Sequence, residues 1–170
     1  MEKKILNDFC FHKPKTLDEA LVLIDKYQEN GLLMEGGSEV IPNMKSLVVT
    51  PDHIISLKHI PEFDYITYTP GEGLHIGPSC TLTKVEYDPN VQSVYPSLYM
   101  GVHGMSNTNI HNISTVTGNI CYAVPSADTA APLLTLNAEL SVKSVDGERK
   151  VPITELSVSY THLRAHETDS

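Results

Sequence analysis

Apolar positions along the chain follow two periods, and each marks a different kind of element. Leu17, Ala20, Leu21, Ile24 and Tyr27 recur three and four apart, the stripe of one helical face. Thr16 and Glu19 form a capping box at its start and Asn30-Gly31 offers a left-handed stop, so a helix is predicted over about 17–29. Two short apolar runs, Leu32-Leu33-Met34 and His53-Ile54-Ile55-Ser56-Leu57, read as buried strands. Between them stands Glu35-Gly36-Gly37-Ser38-Glu39. A strand that runs into a Gly-Gly turn is a place where backbone N–H groups converge on an anion.

From Tyr65 the period shortens to alternation. Tyr65–Thr69 and Leu74–Gly77, joined by Pro70-Gly71-Glu72-Gly73, predict a β-hairpin, and Glu139–Ser144 with Arg149–Ile153, joined by Asp146-Gly147, predict another. Helices are expected at about 82–86, 97–103 and 128–136, with Pro132 bending the last or lying near its first turn. Ser106–Asn119 is polar with few apolar anchors and is expected to be irregular. Long irregular segments inside compact domains more often carry function than fill space.

Charge narrows the function. Twelve Lys and Arg against 21 Asp and Glu give a net charge of −9 in 170 residues. Nucleic-acid backbones and anionic membranes both select basic surfaces, so neither is an expected partner. Charge interrupts the opening residues Met1–Asp8 before a secretory apolar run develops, and no segment has the length of a membrane span. Cys10, Cys80 and Cys121 are odd in number and lack C-x-x-C spacing, as expected of reduced, buried thiols in a cytoplasmic protein. His12, His53, His59, His75 and His103 are scattered without ligand spacing, and no G-x-S-x-G nucleophile elbow occurs.

The chemistry-bearing candidates are two glycine-containing loops, Glu35-Gly36-Gly37-Ser38-Glu39 and Thr115-Val116-Thr117-Gly118-Asn119. Neither matches a dinucleotide G-x-G-x-x-G or a P-loop. Together they offer backbone N–H groups, hydroxyls and an amide in an acidic chain, and such groups hold a pyrophosphate without Lys or Arg.

Leu33–Lys45, and Asn109–Ile120 with the following Pro125-Ser126-Ala127-Asp128, resemble the two FAD loops of the flavin subunits of molybdenum hydroxylases. That family includes xanthine dehydrogenase and the medium subunit of carbon monoxide dehydrogenase. The resemblance runs from about Phe11 to Leu156. It implies an α+β, PCMH-type FAD-binding fold, with an N-terminal subdomain at 1–60 and a second at 61–157. It also implies that Glu35, Gly36, Gly37, Ser38, Glu39, Thr115, Val116, Thr117, Gly118 and Asn119 contact FAD, with Asp128 a further contact. The implied partners are a molybdopterin-binding large subunit and an iron–sulfur small subunit, with NAD as electron acceptor. No catalytic acid, base, nucleophile or metal ligand is expected on this chain. The cofactor carries the redox chemistry.

The chain departs from the family pattern at several positions. Glu35 stands where the first loop usually has Ala. His111, Ser114 and Thr117 stand where the second usually has Arg, Gly and a first Gly. Ser38-Glu39 is similar to the xanthine dehydrogenase version of the loop. After Leu156 the pattern breaks, and Val158–Ser170 resembles a translated sequencing adapter, so the four-residue spacing of His162 and His166 is set aside as a metal pair. The expectation is a domain lacking the third subdomain that helps enclose the flavin ring. Another PCMH-type flavin oxidoreductase, or a non-catalytic acidic α+β interaction module, is the alternative.

Overall fold

A computed structural model describes residues 6–105, 107–122 and 127–156. Its first part is a three-stranded parallel sheet of β1 (Cys10–His12), β2 (Gly31–Met34) and β3 (His53–Ser56), in the order β1-β3-β2. Parallel strands need crossovers, supplied here by α1 (Leu17–Tyr27) and α2 (Val40–Lys45). Thr16 caps α1 by accepting from the Glu19 N–H at 3.2 Å. Glu19 reaches back as a capping box requires, but to the Lys15 N–H at 2.7 Å rather than to that of Thr16.

The helix stops earlier than its sequence suggests. Gln28 takes the positive φ of 40° and a 3₁₀ turn follows over Gln28–Asn30, while Gly31 is extended and already in β2. α2 was not expected from the sequence, because six residues containing Pro42 show no helical stripe. Ala20, Ile54 and Ile55 are fully buried where α1 meets the sheet. The Tyr27 and His53 rings stack with centroids 3.7 Å apart, and His53 Nδ1 lies 3.0 Å from His12 Nε2.

The second part packs a hairpin on short helices. β4 (Ile66–Thr69) and β5 (Gly73–Ile76) pair antiparallel, followed by α3 (Leu82–Tyr87), α4 (Pro89–Val94) and α5 (Pro96–His103). Asp88 caps α4 through the Asn90 and Val91 N–H groups, and Pro89 occupies the first helical position, where no N–H is needed. Leu82, Val85, Val91, Leu98 and Val102 meet Cys80, Met105 and Val116 in one buried cluster. Burial pushes the Cys80 thiol up to about 11, as an inert core sulfur. Cys10 and Cys121 are exposed, against the expectation of burial, because each lies near an element end.

The stretch 106–119 is not irregular where it is described: α6 (Thr108–His111) and α7 (Val116–Cys121) occupy most of it. Asn107 and Thr115 cap these helices with their own side chains. The polar composition that suggested a loop is largely capping chemistry. α8 (Ala130–Thr135) carries Pro132 in its first turn. β6 (Glu139–Ser144) and β7 (Gly147–Pro152) form the last hairpin, with Val145-Asp146 as the turn rather than Asp146-Gly147. Pro125-Ser126 and the tail at 158–170 lie outside the described residues.

Candidate functional site

The two loops predicted from the sequence are brought together by one steric fact. A Cβ on Gly36 would sit 1.8 Å from the carbonyl oxygen of Ile113 and 3.2 Å from the Cα of Ser114. Only glycine lets the first loop lie this close to the backbone that leads into the second. Gly37 has φ +73°, the left-handed conformation that turns the chain from β2 into α2. Ser114 Oγ then donates to Ser38 Oγ at 2.9 Å, and the Leu82 N–H donates to the Ser114 carbonyl at 2.8 Å. Thr81 and Thr115 form a β-bridge beside this junction.

Thr115–Asn119 is the cap and first turn of a helix, not a free glycine loop. Thr115 is buried and accepts from the Gly118 N–H at 2.9 Å. Gly118 has no positive φ, and a Cβ there would meet only the Thr115 hydroxyl, at 3.0 Å. Among the described residues, the N–H groups of Gly36, Gly37, Ser38 and Glu39 and those of Val116 and Thr117 have no hydrogen-bond partner. Two adjoining segments therefore present unsatisfied donors, which suits the negative charge of a diphosphate.

Asn119 Oδ1 accepts from the fully buried Thr129 at 2.5 Å. This ties the end of the second loop to the residue after Asp128. Asp128 itself is exposed, and its backbone carbonyl would be 2.9 Å from a Cβ on Gly101. No hydrogen bond of the Glu39, Thr117 or Asp128 side chains is found among the described residues. Asn43 Nδ2 donates to Tyr122 Oη at 3.2 Å, linking α2 to the end of α7.

Glu35 is half-buried, and burial holds its carboxyl above the ordinary range, opposed by Ser79 and Lys58 and reinforced by Asp64. Ser79 lies beside Glu35. Its buried hydroxyl nevertheless makes no hydrogen bond of good geometry among the described residues. Sequence reasoning passed over Ile113, Ser79, Gly101 and Thr129. Ser114 and His111 carried a signal, each as a departure within the motif.

A turn and a helix cap thus present unpaired N–H groups at one steric junction. Compared as a whole, the chain belongs to the family described as FAD binding domain in molybdopterin dehydrogenase, which matches residues 7–168. The match continues beyond Leu156, into residues outside those described.

The chain is 29% identical over 151 residues to the nicotinate dehydrogenase FAD-subunit of Eubacterium barkeri, covering 88% of this chain and 51% of that protein. It is 32% identical over 148 residues to the xanthine dehydrogenase FAD-binding subunit of Escherichia coli O157:H7, covering 86% and 50%. A carbon monoxide dehydrogenase from Hydrogenophaga pseudoflava that lacks the Mo-pyranopterin moiety superposes with a TM-score of 0.84 at 27% identity, covering 88% of this chain and 52% of that chain. The chain thus spans about half the length of the relatives it matches. The α+β FAD-binding fold expected from the motifs is the fold found.

Proposed function

We propose that the chain forms the diphosphate-holding part of the FAD subunit of a molybdenum hydroxylase of xanthine dehydrogenase type. In this reading electrons pass from the iron–sulfur clusters of a small subunit through FAD to NAD, and a molybdopterin-binding large subunit oxidises the substrate. The observation that carries it is the junction at Gly36, which joins two segments with unpaired N–H groups. Ser38-Glu39 and the likeness to the Escherichia coli subunit support the xanthine type. No helix among the described residues is long and apolar enough to cross a membrane, which accords with the proposed cytoplasmic setting.

Residues 35–39 and 115–119 hold the diphosphate and ribityl regions, with Asp128 beside them, across the proposed subdomains 1–60 and 61–157. FAD, when bound, supplies the electron transfer. The protein's own groups bind and orient it, and none acts as acid, base or nucleophile.

FAD content of the complete subunit carrying Gly37→Trp or Gly118→Trp tests this reading. Loss of flavin absorbance after gel filtration is the expected result, and unchanged content in both variants overturns it. Flavin-linked turnover without molybdenum or iron–sulfur partners would select a self-contained flavin oxidoreductase. No FAD binding by the unmodified subunit would select an interaction module.

A further inference from the structure

We propose that His111, clamped between Glu86 and the Met105 carbonyl, is the positioning residue for the second flavin segment. This rests on the assignment of 115–119 to the cofactor.

His111 is 5% exposed, and each ring nitrogen faces an acceptor. Nδ1 lies 2.9 Å from Glu86 Oε2, and Nε2 lies 2.5 Å from the Met105 carbonyl oxygen. A carbonyl has no hydrogen to give, and an ionised carboxylate has none either. The ring is therefore gripped from both sides, by a carboxylate and by a backbone carbonyl.

Glu86 is suited to that partnership. His103 first, and then His111, hold its carboxyl below the ordinary range against the opposing effect of burial. These two imidazoles, on α5 and α6, are the ionisable groups that contact Glu86 among the described residues. Lys84, also on α3, pairs instead with Asp64. The His103 side chain is 62% exposed and that of His111 is 7% exposed, so the His111 pair is the one shielded from water.

The brace reaches the cofactor segment through three rungs between α3 and the chain leaving α6. Glu86 holds His111, Thr83 Oγ1 donates to Asn112 Oδ1 at 2.8 Å, and the Leu82 N–H donates to the Ser114 carbonyl. Ile113 and Ser114, which bear the Gly36 junction, lie within this ladder.

Amide hydrogen exchange at 113–119 and the thermal midpoint of the chain, both without FAD, test this for wild type, His111→Gln, His111→Arg and Glu86→Gln. At about pH 6, His111→Gln should raise exchange at 113–119 about tenfold, and His111→Arg, which keeps a cation with several donors, should restore protection. The thermal midpoint of His111→Gln should fall below that of wild type, while His111→Arg recovers it. Wild-type exchange in His111→Gln, or exchange in His111→Arg as high as in His111→Gln, overturns the proposal. If His111→Gln does not fold, Glu86→Gln decides by the same readouts, wild-type exchange again overturning it. Raised exchange with unchanged FAD affinity would overturn the flavin assignment of 115–119 and leave the Glu86–His111 brace standing.

Discussion

The two glycine-containing segments, 35–39 and 115–119, look alike in sequence and do different work. In the first, Gly36 is required by backbone contact with Ile113 and Gly37 by a positive φ. In the second, Gly118 is an ordinary helical residue, and the structural duty falls on the Thr115 cap. One segment is a turn fixed by what a side chain would strike. The other is a helix start fixed by what a side chain supplies. A glycine's meaning therefore depends on its φ and on the backbone across from it, neither of which is written in a five-residue motif.

The sharpest way to break this contrast is Gly36→Val. Any β-carbon there forces the Ile113 backbone to move, so a loss of about 3 kcal/mol is expected from denaturant unfolding, together with loss of FAD. A stable Gly36→Val chain would show that the junction gives way easily. Gly37→Ala should cost less, about 1–2 kcal/mol for a left-handed β-carbon. Thr115→Ala removes a cap and should cost about 1 kcal/mol, read out by the same unfolding curves. Gly118→Ala is the mildest. Helix propensity gained is offset by the contact with the Thr115 hydroxyl, so its stability should stay within about 0.5 kcal/mol of wild type.

A pH series sharpens the picture at the first segment. Burial raises the Glu35 carboxyl, so the folded state favours its protonated form. For a raised acid the stabilisation is present below the ordinary carboxylate range and is lost as pH rises through the folded value. Glu35→Gln should therefore raise the thermal midpoint at neutral pH and leave it nearly unchanged in acid. Equal midpoints at neutral pH would show that Ser79 and Lys58 fully offset burial.

Much of the fold was legible where local physics is strong. The stripe from Leu17 to Tyr27, the Thr16 cap, both strands beside the glycine turn and both hairpins follow from periodicity and capping. The short helices α2, α4 and α6 were not, since four to six residues carry too little periodicity to distinguish them from loop. Asn107 and Thr115 show the same limit, because a polar residue that caps a helix looks in sequence like one that belongs to a loop.

The sequence by itself determined the first helix, the two strands beside the glycine turn, the two hairpins, the acidic character and the two motifs of a flavin-binding family, because these rest on spacing and residue type within a few turns of chain. Tertiary structure alone decided that Gly36 meets Ile113, that Ser38 meets Ser114, and that His111 lies between two oxygen acceptors. Those contacts join residues 25 to 77 positions apart, apart from the nearby Met105 carbonyl, six residues from His111. Steric exclusion and hydrogen-bond satisfaction act only between atoms that the fold has already brought together.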